Sequence, residues 1–589
     1  YPQCGKSWAA VLKPSAALLL SGCGINRTQP GKAPEAPKNT VKLAYIPLDD
    51  RPNNYECMLY MAQSLDYELL MPETELFRTR LDGQPGAEKG DRAALYEWLL
   101  DCEEQGCDRY IIFLDQLLSG GLCASRSASS DETVTLSDGR TVTDRELLEM
   151  TLKLLSSDKN NRVWLLDTVM RLAPTVGYAG WTLDDYYSVR EYFAQPRLLL
   201  PDAELTPGNI VSAYGMSPDG GEIPLSGVDA DDIKRCTDAR QRKLLLAQEL
   251  FMLLHGDESG VFTVLYGIDD SSESNCVQVN EIAYIRTLLR RTDALLSGVD
   301  DMGFKALAAM YLNDTDWQGT PAELRYFGGA EDENACEFDY RPLSEIVSEH
   351  MDFFGLEESA SAQLKIYVLT KPKDPERAQT YCDELIDALN DSLSDGDAVI
   401  LMDASNGAYG DTFRTALVNG TEFGKLVAYA GQLDMANLTG TALGHGVARY
   451  AYLKNGECSE LSEYGHMCSL ADVLVKDICF RNNARASLSE YIRTELSGNP
   501  DNLWATNTSP DAANAELCRL MDGLVPQLLE KLQRCNFISS LAPYSESGWG
   551  GVAIKDYRLP WYRSFEISFA IEVGKATQPH KSLLGIYYK

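Results

Sequence analysis

From residue 41 onward, short apolar runs rich in Val, Ile, Leu and Tyr alternate with segments of helical periodicity. This alternation is typical of βα units, in which helices connect the strands of a largely parallel sheet. Two weaker runs, at 294–299 and 324–327, would add a ninth and a tenth strand to the clearest eight. Those eight predicted strands are 43–48, 68–71, 110–114, 163–166, 262–267, 365–370, 399–402 and 426–429.

The number of strands decides between two architectures of the same class. Eight strands, with long insertions between 166 and 262 and between 267 and 365, fit a (β/α)8 barrel. Nine or ten strands would instead form two Rossmann-like lobes. We therefore predict an α/β fold with a mostly parallel sheet, and we favour a (β/α)8-like barrel over the two-lobe alternative.

The pattern changes beyond about residue 450, where helices dominate. Leucines at helical spacing predict a long helix over 515–534, with Pro526 inside it. Apolar residues then alternate with other residues from 565 to 571, which predicts a half-buried strand. The sequence thus indicates an α/β catalytic-type domain over 41–450, followed by a mainly helical C-terminal region with a terminal strand over 451–589.

The segment before the folded body predicts export. An apolar stretch, too short for a spanning helix, leads into Leu20-Ser21-Gly22-Cys23. This string resembles the lipobox of bacterial lipoproteins, in which Cys23 would be lipidated. The prolines of 24–40 are typical of a flexible tether. We expect a lipoprotein signal peptide over 1–23 and a protein anchored by lipid to the outer face of the cytoplasmic membrane.

The composition of the chain limits the classes of molecule that the protein is expected to bind. The chain carries 87 acidic and 53 basic side chains, a formal net charge of -34, so nucleic acid is excluded as an expected partner. The 15 cysteines form no C-x-x-C pair and the five histidines are scattered, so we predict no metal site and expect buried free thiols. The expected partners are a small molecule or glycan and, through the lipid anchor only, the membrane.

Aspartates follow the predicted strands. In parallel α/β folds, functional groups gather at the C-terminal ends of strands, although a single aspartate there often only caps the next helix. So many of them predict an acidic cleft, in which the nearby arginines Arg51, Arg126 and Arg171 could bind an anionic group. These aspartates are Asp49, Asp50, Asp115, Asp167, Asp269, Asp270, Asp300, Asp301 and Asp403.

Paired carboxylates permit two chemistries. They can act as acid and as base or nucleophile in glycoside hydrolysis, or they can hold Mg²⁺ or Ca²⁺. We predict Asp50 and Asp270 as the catalytic pair with Asp115 as a helper, and we assign no cofactor, with Mg²⁺ or Ca²⁺ as an alternative. The predicted substrate contacts are Asp49, Arg51, Arg126, Asp269, Asp301, Asn437 and Trp561.

A series of short strings resembles, in the same order, the motifs of the bacterial domain of unknown function family 4127. The strings are Pro47-Leu48-Asp49-Asp50-Arg51-Pro52, Leu114-Asp115, Gly120-Gly121-Leu122, Ser125-Arg126, Gly267-Ile268-Asp269-Asp270, Gly298-Val299-Asp300-Asp301-Met302-Gly303, Tyr429-Ala430-Gly431 and Arg558-Leu559-Pro560-Trp561.

The resemblance names no activity, but it implies that the acidic strand ends, Arg126 and Trp561 belong to one site. The chain departs from the family pattern at Gln432-Leu433-Asp434, where the family usually has Trp-Asn-Thr, and at Tyr562, where the family has Asn. These departures predict a different substrate or a loss of activity in this member.

The leading functional prediction is a surface-anchored, glycosidase-like hydrolase that acts on carbohydrate. It rests on the export signal, on the strand-end aspartates and on 30 Tyr and 8 Trp residues that could stack on sugar faces. A solute-binding lipoprotein and a metal-dependent phosphate or sulfate ester hydrolase remain as alternatives.

Overall fold

The computed structural model describes residues 40–128, 132–272, 275–333, 336–431, 434–455, 459–534 and 549–575. The predicted signal peptide, with Cys23, and the positions Gln432 and Leu433 lie outside the described residues. The strands are β1 (Val41–Ile46), β2 (Tyr67–Leu70), β3 (Arg109–Phe113), β4 (Thr133–Thr135), β5 (Thr141–Thr143), β6 (Arg162–Val169), β7 (Phe262–Ile268), β8 (Ala294–Ser297), β9 (Thr320–Phe327), β10 (Leu356–Glu358), β11 (Leu364–Leu369), β12 (Ala398–Asp403), β13 (Ala428–Ala430), β14 (Trp549–Arg558) and β15 (Ser568–Lys575).

A π-helical segment, Val475–Ala484, joins two of the C-terminal helices. The α-helices are α1 (Glu56–Ser64), α2 (Thr74–Phe77), α3 (Arg92–Glu104), α4 (Leu114–Ser119), α5 (Leu122–Ser125), α6 (Asp144–Leu155), α7 (Leu183–Ala194), α8 (Pro207–Ala213), α9 (Ala230–His255), α10 (Val279–Leu288), α11 (Met302–Asp314), α12 (Leu343–Phe353), α13 (Ala378–Asp395), α14 (Asp411–Gly420), α15 (Met435–Asn455), α16 (Glu460–Leu474), α17 (Arg485–Thr494) and α18 (Pro510–Arg534).

The predicted α/β class is confirmed, and the parallel strands lie in two sheets. Sheet 1 has the order β2-β1-β3-β6-β7-β8 and sheet 2 the order β10-β9-β11-β12-β13. Counted within each sheet, both orders begin 2-1-3, as in doubly wound folds of the flavodoxin type. This is the arrangement of the two-lobe alternative. Among the described residues, no pairing of β2 with β8 closes sheet 1 into the favoured barrel.

The strands form where the sequence is apolar on both faces. All six residues of β12 are buried, and so are Tyr110 to Phe113 of β3, because helices cover both sides of each sheet. Such strands lose their apolar surface to the core on both faces, which stabilises the sheet and explains why continuous apolar runs predicted them correctly.

A layer of helices joins the two sheets. One core cluster contains Tyr45 of β1, Leu307 of α11, Leu443 of α15 and Ile400 of β12. Helix α15 approaches α11 closely at Gly444, where a Cβ would lie 3.0 Å from the Phe304 carbonyl oxygen. The two sheets therefore share one continuous hydrophobic core.

The C-terminal elements cover the opposite face of sheet 2. Leu401 of β12, Leu474 of α16, Leu517 of α18 and Val573 of β15 belong to one buried cluster. The predicted long helix is α18, and the predicted terminal strand is β15, which pairs antiparallel with β14. The predicted boundary at 450 falls inside α15. Within the described ranges, the helices are all too short or too polar to cross a membrane.

Candidate functional site

A cleft with a volume of about 570 Å³ lies at the C-terminal edge of sheet 1. We call it the main cleft. The loops after β1, β7 and β8 form one wall, and the segment between β14 and β15 forms part of another. The strand-end rule therefore places the cleft correctly. Its defining side chains are Arg51, Arg126, Asp269, Asp270, Asp300 and Trp561.

Arg51 links two strand ends across the main cleft. Its backbone N–H and its Nε donate to the fully buried Asp49 at 3.0 Å, and Asn54 donates to the same carboxylate. The Arg51 Nη atoms donate to Asp300 at 2.8 and 2.5 Å. Asp49 thus holds the Arg51 guanidinium in position. The sequence predicted Asp49 as a substrate contact, but its side chain is fully buried.

Asp269 and Asp270 are adjacent but have different partners. Arg126 donates two hydrogen bonds to Asp269, one of them from Nε at 3.1 Å, and its Nη1 lies 3.3 Å from the Thr175 hydroxyl. Among the described residues, the Asp270 carboxylate receives only a long contact from Arg171, at 3.4 Å. Asp269 is therefore neutralised inside the protein, whereas Asp270 is left largely uncompensated.

The environments of Asp270 and Asp300 shift their pKa values in opposite directions. Burial, together with repulsion from Asp269, raises the pKa of Asp270. Burial alone would also raise that of Asp300, but the Arg51 guanidinium holds the pKa of Asp300 below its ordinary value. Both side chains remain about one quarter exposed, at 26% and 27%. One accessible carboxyl is thus disposed to carry a proton and its neighbour to stay ionised.

Asp50 faces a second cleft, with a volume of about 840 Å³. The Trp561 indole N–H donates to Asp50 at 2.7 Å, the Thr79 N–H donates at 3.2 Å, and burial raises the pKa of Asp50 to about 6. Trp561 lines both clefts and separates them. The structure therefore does not place Asp50 in the main cleft with its predicted partner Asp270.

The dividing residue has a strained backbone. Trp561 has φ 54° and Tyr562 has φ 51°, so two consecutive non-glycine residues are left-handed. Such conformations cost on the order of 1–3 kcal/mol each and persist where surrounding contacts fix them. Here the Trp561 carbonyl accepts a hydrogen bond from Gln84, while Arg51 stacks on the indole ring, its Cζ 5.2 Å from the ring centroid.

Asp115, the predicted helper, lies outside both clefts. Lys243 of α9 donates to Asp115 at 2.6 Å and to Asp167 at 2.9 Å, and the Thr168 hydroxyl donates to Asp115 at 3.0 Å. We call these residues the Lys243 cluster. Asp115 is buried, with its charge compensated by Lys243, so it is unsuited to contact a substrate.

Although its neighbour Asp300 lines the main cleft, Asp301 does not. It is completely buried, forms an ion pair with Lys305 at 2.8 Å and lies 3.7 Å from the His350 ring. Asn437 does line the main cleft: its side chain accepts from the Val299 N–H at 3.1 Å and donates to Asp434 at 3.1 Å. Arg126, Asp269, Asp270 and Trp561 are thus brought together, and Asn437 lies with them, whereas the strand-end residues Asp50, Asp115 and Asp301, which the motif series also implies in one site, do not line this cleft.

Several cleft residues were not among the predicted site residues. Asp434 immediately precedes α15, and burial, with the carboxylates of Asp339 and Asp270, raises its pKa well above the ordinary value. Arg485 of α17 and Arg563, after β14, also line the main cleft. Arg485 lies in a helix and Arg563 follows a strand of an antiparallel hairpin, so the rule for the ends of parallel strands could not find them. Among the described residues, no three or more His, Cys, Asp or Glu side chains group as a metal site.

The sequence model of one family matches residues 43–570, which include every residue of both clefts discussed above. The chain belongs to the DUF4127 family. DUF4127 is described as a family of proteins of unknown function, so membership confirms the motif resemblance without adding an activity. No curated protein and no solved structure matches this DUF4127 member.

Proposed function

We propose that the main cleft is the active site of a glycosidase-like hydrolase that acts on carbohydrate. The observation that carries this proposal is the pair Asp270 and Asp300, two accessible carboxyls in one cleft whose pKa values are shifted apart. A protonated and an ionised carboxyl at one site are the two groups that glycoside hydrolysis requires.

The proposed roles follow from these shifts. Asp270, with the raised pKa, donates its proton to the leaving glycosidic oxygen as the bond to the anomeric carbon breaks. Asp300, kept ionised by Arg51, stabilises the positive charge that develops on the sugar, and either attacks the anomeric carbon or activates a water molecule. Arg126 compensates Asp269, so that repulsion on Asp270 stays limited.

Exposed aromatic rings support a sugar as the substrate. Tyr187 is 60% exposed and Phe565 is 41% exposed, and both line the main cleft with Tyr186. Apolar rings that remain open to solvent inside a polar cleft offer flat surfaces for the apolar faces of sugar rings. Phe565 and Trp561 come from the segment between β14 and β15, so this C-terminal segment contributes to the proposed site.

The proposed setting is the cell surface. The lipobox-like string ending at Cys23 supports export and lipid anchoring. Incorporation of a labelled fatty acid by the full chain, lost in Cys23→Ala, is the expected result. Equal labelling of both proteins would contradict the anchor and leave the cleft proposal untouched.

The catalytic proposal is tested with a panel of chromogenic glycosides and glycans. Once a substrate is found, Asp270→Asn and Asp300→Asn should each lower kcat/KM by about 10²–10⁴-fold, because one loses the acid and the other the ionised partner. Asp138→Asn, a change of the same kind on an exposed turn, should leave kcat/KM unchanged. Turnover by Asp270→Asn near the wild-type rate would remove the assignment. Sugar binding without turnover would favour the solute-binding alternative.

A further inference from the structure

The arginines of the main cleft fall into two groups. In the first group, the guanidinium donors already have partners inside the protein. Arg51 pairs with Asp49 and Asp300, and Arg126 pairs with Asp269. In the same group, Arg171 donates to the carbonyl oxygens of Ala173 and Pro174, and Arg481 pairs with Asp477 at 2.5 Å. These donors are occupied, so the arginines predicted from sequence to bind an anion, Arg51, Arg126 and Arg171, have little capacity left.

Arg485 and Arg563 form the second group. In the part of the chain that the structure describes, Arg485 has no hydrogen bond and no carboxylate within 4.0 Å, and the nearest carboxylate to Arg563 is Glu566 at 3.9 Å. Burial lowers the pKa of both guanidinium groups, and the positive charges of Arg481 near Arg485 and of Arg51 near Arg563 add to that effect, while the Glu566 carboxylate opposes it at both arginines without reversing it. Two partly desolvated cations with open N–H donors therefore lie in one cleft.

Phe565 orients this pair. The guanidinium carbon of Arg485 lies 4.8 Å from the centre of the Phe565 ring, and that of Arg563 lies 4.9 Å from it. Stacking occupies the face of a guanidinium and leaves the N–H groups at its edge free. These planar edges match the geometry of a carboxylate or sulfate, which they can bind in bidentate fashion.

The pair lies close to the proposed catalytic carboxylates. Arg563 stacks on Trp561 with its Cζ 4.8 Å from the ring centroid, and Arg51, which binds Asp300, contacts the same ring at 5.2 Å. The open guanidinium and the one that holds Asp300 thus contact the same indole ring. An anionic group bound at Arg563 would belong to the sugar being cleaved or to its immediate neighbour.

We propose that Arg485 and Arg563 form a subsite for an oxyanion carried by the substrate, either the carboxylate of a uronic acid or a sulfate ester. The subsite rests on the function proposed for the same cleft. It matters for specificity, because a chain with a net charge of -34 otherwise repels anionic glycans. A bound neutral sugar would offer no oxyanion to the open N–H donors of the two guanidinium groups.

The test is calorimetric binding of D-glucuronic acid, D-glucose 6-sulfate and D-glucose to the full chain. We expect the anionic sugars to bind at least about tenfold more tightly than glucose, less so as NaCl is raised. Arg485→Gln/Arg563→Gln should lose that advantage, while Arg485→Lys/Arg563→Lys should lose part of it, because lysine keeps the charge but not the planar fork. Arg519→Gln, on exposed α18, is the matched control and should bind like wild type.

The outcomes separate the two proposals. Tighter binding of glucuronate than of the sulfate, or the reverse, identifies the natural anion. Equal binding of all three sugars by wild type, or an unchanged preference in the folded double glutamine variant, overturns the subsite. Thermal unfolding of each variant checks that it is folded. Arginine-dependent anion binding without cleavage of any glycoside would contradict the hydrolase proposal and support the subsite. Cleavage of neutral glycosides alone would support the hydrolase proposal and contradict the subsite.

Discussion

Two pairs of aspartates at the same edge of sheet 1 have opposite environments. Asp115 lies in α4 just after β3, Asp167 lies near the end of β6, and Asp270 and Asp300 follow β7 and β8, so the pairs are neighbours in the strand order. The first pair shares the ammonium group of Lys243, and a Tyr266 hydroxyl donates to Asp167 at 2.7 Å. The second pair is about one quarter exposed in the main cleft, where Arg51 donates to Asp300 and Arg171 makes a long contact with Asp270.

The difference shows that position at a strand end does not determine what a carboxylate does. A buried carboxylate with a lysine and hydroxyl donors is satisfied, and it is held by the fold. An accessible carboxylate with incomplete compensation keeps unused interaction capacity, which is the property that perturbs its pKa and suits it to chemistry. What separates the two pairs is α9, because it brings Lys243 over one pair and not over the other.

Removing the lysine should have the largest effect. Lys243→Met leaves two buried carboxylates without a cation, and we expect it to lower the free energy of unfolding by about 3–5 kcal/mol in urea titrations at pH 7. Lys234→Met is the matched control on the same helix: Lys234 is 70% exposed, and its loss should cost less than about 0.5 kcal/mol. Equal effects of the two variants would mean that the Lys243 cluster is not a buried ionic network.

The sequence predicted the positions of the parallel strands well. It predicted the division of the strands between sheets, and the β-hairpins, poorly. Every predicted strand is present, and even the weak runs at 294–299 and 324–327 correspond to β8 and β9, because apolar runs bounded by polar residues reflect burial directly. Their division between two sheets was less certain, because strand pairing depends on contacts that a strand count does not contain. The β-hairpins β4–β5 and β14–β15 follow no βα pattern, and only β15 was predicted.

The site shows the same limit at the level of side chains. Asp49 and Asp50 are adjacent, yet Asp49 is buried beneath Arg51 while Asp50 faces the second cleft. Sequence spacing could not decide this. Arg563 comes from a segment almost 300 residues after Asp270 in the chain, and no local pattern connects the two. Strand-end position predicted the cleft, whereas the partners that set each charge come from distant elements.

Asp50 is intermediate between the two pairs, because it is buried like the first pair but does not share its lysine. The pH dependence of the free energy of unfolding should show the effect of this burial. Its pKa is raised from 3.8 to about 6 in the folded protein, so its contribution to stability is fully present below about pH 4 and is lost as pH rises through 6. Between pH 4 and pH 7, wild type should lose about 2.4 kcal/mol of unfolding free energy relative to Asp50→Asn.

Urea titrations of both proteins at these two pH values measure the Asp50 effect. Trp561→Phe provides a second readout, because the indole hydrogen bond lowers the pKa of Asp50 and its removal should move the loss to higher pH. If the free energies of unfolding of wild type and Asp50→Asn change with pH in parallel, the pKa of Asp50 is that of an exposed aspartate. Asp50 would then not be intermediate between the two pairs.

The smallest effect should be found in the main cleft itself. The raised pKa of Asp270 means that its ionised form is disfavoured by folding at pH 7, so Asp270→Asn should leave the free energy of unfolding unchanged or raise it by up to about 1 kcal/mol. Asp115→Asn makes the same chemical change in the Lys243 cluster. It should lower the free energy of unfolding, because Lys243 loses its closer charged partner, at 2.6 Å. Thermal and urea unfolding of the two variants compare the pairs directly. A destabilised Asp270→Asn would place Asp270 among the structural carboxylates, since a residue that the fold holds for its own stability is not free to give its proton to a substrate.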